Sequence, residues 1–121
     1  MLTFIVGLPA SGKTTLGATL SCDVFLDEVK SLDQIKEQLH LGKSVVVTDP
    51  YLCYKKNQEK AKVEFNNWPI RWIFFENNPK QCLVNAKLRD KPVNGDIKIF
   101  SRDYFIPDNC EVLPVHSNKL T

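Results

Sequence analysis

Residues 7–15 read GLPASGKTT, and they follow the apolar run Leu2-Thr3-Phe4-Ile5-Val6 directly. From Gly7 to Thr14 the chain satisfies G-x-x-x-x-G-K-[ST] without a gap. Each part has a physical purpose. Gly7 and Gly12 permit the backbone conformations that turn successive N–H groups inward, where they meet phosphate oxygens. Lys13 brings positive charge to the terminal phosphates, and the Thr14 hydroxyl suits magnesium. Pro9, Ala10, Ser11 and Thr15 complete the loop, and a helix starting near Lys13 adds its positive dipole end. A glycine-rich turn without a ligand is the competing reading. An apolar strand before the loop and a helical stretch after it favour the cradle, with a nucleoside triphosphate and Mg2+ as its expected ligands.

The rest of the composition narrows the setting. A chain of 121 residues predicts one domain, 1–121, able to bury roughly two-thirds of its unfolded surface. A formal net charge of +2 does not announce a nucleic-acid coat, so any basic footprint is local. No apolar run approaches the roughly 20 residues of a membrane span, and Met1-Leu2 leads into a strand rather than a basic leader, so no membrane association is expected. The four cysteines, Cys22, Cys53, Cys82 and Cys110, show no CxxC or Cys/His pairing. They read as reduced, mostly buried thiols of a cytoplasmic protein rather than as a zinc site.

Five β-rich runs alternate with helical stretches. The predicted strands are Leu2–Val6, Asp23–Asp27, Ser44–Asp49, Ile70–Glu76 and Glu111–His116. Several are near-continuous apolar runs, which suits strands covered on both faces. The predicted helices are Lys13–Leu20, Leu32–Leu41, Tyr54–Asn66, Pro79–Arg89 and Gly95–Phe105. Ser31 and Asn78 are placed to cap the second and fourth. Alternating β and α units imply a parallel sheet with right-handed crossovers and sites at the strands' carboxyl ends.

Two acids lie at such ends. Asp49 closes SVVVTD, where a carboxylate serves a magnesium shell or an incoming hydroxyl; Asp27 closes DVFLD, where it accepts an acceptor proton in phosphoryl transfer. Glu28 is an alternative for either task, and Lys30 is spaced to grip the acceptor. Strand-end acids also start turns and cap helices, and a lysine there is equally a solvated surface residue. Lys87, Arg89 and Lys91 concentrate charge in NAKLRDKP. One reading is cation placement at a helix C-terminus; the other is a lid whose Arg89 offsets charge on the transferring group, with DKPVNGD as a mobile segment. Lys55 and Lys56 beside Tyr51 and Tyr54 form a small basic-aromatic cluster, either a solvated helix start or a contact for a polynucleotide. Trp68 and Trp72 read as core or sheet-edge residues.

With these residues in place, the chain resembles the P-loop kinases, most closely the 5′-kinase domain of phage-type polynucleotide kinases. GLPASGKTT is similar to that family's G-x-P-G-S-G-K-[ST]-T, with Ala10 in place of the third glycine. Asp27 and Lys30 occupy the spacing of the family's acceptor-activating aspartate and following arginine, with the bidentate phosphate grip lost. VVVTDPYL resembles the family's strand ending in Ser-Asp-Thr-Asn, and CLVNAKLRD its helix with two lid arginines four apart, Arg89 matching the second and Asn85 replacing the first. Only Glu28 to Lys43 separates the second and third strands, so the resemblance is to a minimal form. It implies a three-layer α/β P-loop NTPase fold, with a five-stranded parallel sheet in the order 2-3-1-4-5 and helices on both faces. It also implies transfer of the γ-phosphoryl group of ATP, or another NTP, to a hydroxyl, with a polynucleotide 5′-OH as the leading acceptor. Lys13, Asp27 and Arg89 are the implied catalytic residues, Thr14 and Asp49 the metal residues, and Asp27, Lys30 and Asp49 the acceptor side. A nucleotide-binding or ATPase module regulating a partner, and a small-molecule kinase, are the alternatives. Oligomeric state is left open.

Overall fold

The computed structural model describes residues 1–27, 29, 31–89 and 94–116, the last stretch with side chains from Asp96 onward. β1 (Leu2–Val6) is buried along its whole length, as its unbroken apolar run requires. β2 (Val24–Asp27), β3 (Val45–Thr48), β4 (Ile70–Phe75) and β5 (Glu111–Leu113) join it in one sheet of order β2-β3-β1-β4-β5. Every pairing is parallel. This is the three-layer P-loop NTPase arrangement, with helices on both faces.

The two faces are unequal, as right-handed crossovers dictate for this order. α1 (Lys13–Thr19) runs from β1 to β2 and covers one face, where Leu16 and Leu20 pack on Ile5, Val46 and Phe75. Gly17 lets α1 lie close: a Cβ there would stand 1.7 Å from the Phe25 ring. α2 (Leu32–His40), α3 (Lys55–Glu64), α4 (Pro79–Leu88) and α5 (Asn94–Arg102) contribute to the main core on the opposite face. Ile35 and Leu39, one helical turn apart on α2, are both buried, each contributing about 2 kcal/mol of apolar burial. Ser31 caps α2 by accepting from the Asp33 N–H, and Asn78 caps α4 by accepting from the Gln81 N–H.

The differences from the predicted elements have local causes. β5 stops at Leu113 instead of running to His116, because Pro114 has no N–H to continue the ladder. β3 stops at Thr48, so Asp49 is not a strand residue. It caps an unforeseen 3-10 turn, Pro50–Cys53, accepting from the Tyr51 N–H at 2.9 Å. The remaining element ends differ from expectation by three residues or fewer, where helices fray into turns.

Candidate active site

The sheet register builds the site. β1 ends at Val6, one residue past Ile5, which pairs with Thr48 at the end of β3, and Thr48 pairs in turn with Asp27 at the end of β2. The chain leaves β1 into the loop 7–12, which is held from four directions. The Tyr104 hydroxyl, from the segment after α5, donates to the Phe75 carbonyl at 2.5 Å with the Val6 carbonyl 3.2 Å away. Burial pushes that hydroxyl far above its usual pKa, so it remains a donor. Cys53 donates its S–H to the Gly7 carbonyl at 3.3 Å, and burial pushes this thiol up to about 12. Asn85, fully enclosed on α4, donates to the carbonyls of Ala10 at 2.9 Å and His116 at 2.6 Å, while Gln81 donates to its oxygen. The His116 N–H donates to the Ser11 carbonyl, and a Cβ on Gly12 would come within 2.7 Å of the His116 Cβ.

Backbone geometry and the glycines agree with a formed loop. Gly12 has φ 108°, open only to glycine without strain, and Ala10 has φ 65°, in the left-handed region. A Cβ on Gly7 would lie 2.5 Å from the Ser11 hydroxyl oxygen. That hydroxyl is fully buried and has no hydrogen-bond partner among the described residues, an orphaned polar group of the kind a bound oxygen ligand satisfies. Lys13 turns its ammonium back into the loop and donates to the carbonyls of Gly7 and Leu8 at 2.9 Å each. Burial lowers its pKa, against the opposing attraction of nearby groups that include Asp27 and Asp49. A phosphate would supply the counter-charge the ammonium lacks there. The donor set therefore fits a nucleoside triphosphate, with Gly7 to Thr15 around its phosphates.

At the edge of the loop, the Thr14 hydroxyl approaches an Asp27 carboxylate oxygen at 3.5 Å, and the Thr48 hydroxyl donates to the other. The structure thus brings together Lys13, Thr14 and Asp27. Asp49 stands beyond Thr48, bonded to the start of the 3-10 turn. A threonine hydroxyl beside a carboxylate offers oxygen groups of the kind that fit a magnesium ion. Arg89 ends α4, exposed, one turn past Asn85 on the same face. Asn85 itself is not a lid residue but a buried tether between loop and tail. Lys30, its alternative neighbour Glu28, Lys91 and most of the DKPVNGD segment lie outside the described residues.

The basic-aromatic cluster is divided. Tyr54 turns inward onto Phe100, Lys55 lies over the Phe105 ring at 5.0 Å, and Tyr51 stays exposed. Trp68 and Trp72 pack against the main core as expected. All four cysteines are free thiols. Among the described residues no helix is long and apolar enough to cross a membrane.

Sequence reasoning missed Thr48, Cys53, Tyr104 and His116, and gave Asn85 no tethering role. Thr48 was legible in principle as the residue before a strand-end acid; the others act across folds of the chain that carry no local signal.

Fold and loop together define the class: a P-loop NTPase fold with a formed phosphate cradle. No protein-family model matches the chain. It is 29% identical over 118 residues to the uncharacterized protein R277 of Acanthamoeba polyphaga mimivirus, covering 81% of this chain and 79% of that one. Among solved structures it is similar to Kti12 of Chaetomium thermophilum, crystallised in complex with ADP-AlF3. That likeness has a TM-score of 0.65 at 16% identity, over 94% of this chain and 89% of that one. It is also similar to APE1195, with a TM-score of 0.59 at 17% identity, over 96% of this chain and 84% of that one. At these identities the two structures share its fold.

Proposed function

We propose that this chain is an ATP- and magnesium-dependent phosphotransferase that moves the γ-phosphoryl group to a hydroxyl, with the 5′-OH of a polynucleotide as acceptor. The observation that carries the reading is the meeting of Lys13, Thr14 and Asp27 around one loop. The ADP-AlF3 bound to Kti12 supports a nucleotide in the corresponding loop here.

Lys13 exchanges its loop carbonyls for phosphate oxygens and holds the terminal phosphates. Thr14 and the Asp49 carboxylate would hold magnesium, which would neutralise phosphate charge. The acceptor oxygen attacks the γ-phosphorus, forming the new O–P bond as the bond from phosphorus to the β,γ-bridging oxygen breaks. The bridging electrons leave with ADP, and the acceptor proton passes to the Asp27 carboxylate, oriented by Thr48. Arg89 offsets charge on the phosphoryl group from the end of α4. Lys30 and Asp49 belong to the acceptor side.

The test gives purified protein γ-labelled ATP and a 5′-OH oligonucleotide. Label on the oligonucleotide supports the proposal; intact ATP binding with no transfer to any hydroxyl overturns it. One observation favours a second reading, a nucleotide-binding module that signals to a partner. Asn85 is consumed as a structural tether, so of the two positions matched to lid arginines only Arg89 carries a cation. Full function of an Asp27→Asn variant in a complex with that partner would select this reading.

A further inference from the structure

On the acceptor side of the sheet, α2 and α3 stand apart over the carboxyl halves of β1 and β3 and leave a cavity of about 420 Å³. Its floor is the cross-strand pair Phe4 and Val47, which the register sets directly opposite one another. Ile35 and Leu32 of α2 form one wall, Ala61 of α3 and Leu52 the other. This volume lies within the range of about 300–1,000 Å³ typical of small-molecule sites.

The polar groups gather at the rim, where the exposed Lys60 of α3 stands beside three groups engaged with backbone. Ser31 accepts from the Asp33 N–H, Asn57 donates to the Tyr51 carbonyl at 2.7 Å, and Asp49 accepts from the Tyr51 N–H. Behind this rim the lining is apolar. It suits a flat, apolar ring, with the Phe4 side chain as an aromatic surface within and the exposed Tyr51 ring at the mouth. Asp49 is the link to the cradle: it lines the cavity and also attracts the Lys13 ammonium inside the loop. Cavity, carboxylates and cradle lie in that order.

We propose that this cavity seats the ring of the acceptor: a heteroaromatic base carried by a hydroxyl-bearing sugar, its hydroxyl directed at Asp49 and Asp27. The proposal rests on the phosphotransfer reading for the direction of that hydroxyl, and not for the binding itself. A free nucleoside and the 5′ end of an oligonucleotide share this chemistry.

Methyl-resolved NMR of the full chain, with the cradle saturated by ADP and Mg2+, tests the seat directly. Adenosine, cytidine and a 5′-OH dinucleotide are titrated in turn. The expected result is saturable shifts at Ile35, Val47 and Leu52. Response to both nucleosides and dinucleotide indicates a small-molecule source, and response to the dinucleotide alone a polynucleotide end. Ala61→Met, and independently Leu32→Trp at the rim, are expected to weaken binding at least tenfold with ADP affinity unchanged. Shifts confined to the loop 7–15, or no binding of any of the three, overturn the proposal, as does full affinity in a folded cavity-filling variant. If the ligands bind and the variants weaken them while label transfer is absent, the phosphotransfer reading fails and the cavity assignment stands. Transfer that continues unaltered in both variants has the reverse meaning.

Discussion

The cradle side and the acceptor side of this sheet are built on opposite principles. Around the loop 7–12 the structure spends side chains from distant elements on fixing backbone: Cys53, Asn85 and Tyr104 each bond a carbonyl in or beside it. Across Asp27 and Asp49 the rim groups are bonded, but the space behind them is left open between α2 and α3. A site that must present several donors to a triphosphate gains from preorganisation, because reorganising donors at the moment of reaction costs binding energy. A site that recognises a ring by shape needs an apolar hollow and few directed groups. Under the proposed function, chemistry resides on one side and selectivity on the other.

The sharpest way to break the contrast is through Lys13. Its ammonium is the cradle's desolvated charge, so Lys13→Met is expected to weaken MgATP binding by two orders of magnitude or more, read by titration calorimetry. The same variant should melt no lower than wild type without nucleotide, because an ammonium held only by carbonyls is costly to bury. The pH dependence has a definite sign. The folded chain holds this proton less tightly than the unfolded one, so wild-type stability rises as pH climbs toward the ordinary lysine pKa. Lys13→Met should lose that rise in thermal melts across alkaline pH.

A smaller effect, on stability, is expected at Asn85. Replacing it with leucine leaves the Ala10 and His116 carbonyls without their donor and the Gln81 amide without its acceptor. A loss of about 2–4 kcal/mol in denaturant unfolding is expected, together with weaker nucleotide binding. An equal change in the affinity of acceptor and nucleotide would blur the division between the two sides. The smallest effect concerns Ala10, whose φ of 65° glycine adopts freely. Ala10→Gly should stabilise the chain by about 0.5 kcal/mol, relief of left-handed strain offset by the greater freedom of the unfolded glycine.

The same contrast explains what the sequence made legible. The cradle could be read because its donors are contiguous and a strand and helix must flank them. Five strands could be read because each is a short β-rich run, several of them apolar throughout, and their order came through resemblance to a known family. Asn85 was read only as the replacement of a lid arginine, because its partner, Ala10, is 75 residues away and only the packing of α4 brings them together. Asp49 was taken for the end of a strand, although the following Pro50 and the Tyr51 N–H made it the start of a turn. The cavity had no sequence signature. It is a gap between two helices whose facing residues, Ile35 and Ala61, look like any other core positions.

The claim that chemistry resides at Asp27 is tested most directly by separating binding from turnover in Asp27→Asn. The asparagine keeps the shape beside Thr14 and Thr48 but cannot take up the acceptor proton. With γ-labelled ATP and a 5′-OH oligonucleotide, transfer is expected to fall about 10²–10⁴-fold, while ATP affinity measured on the same preparation changes by less than about tenfold. Wild-type transfer in that variant, or a loss of ATP binding that accounts for all the lost transfer, would contradict the account.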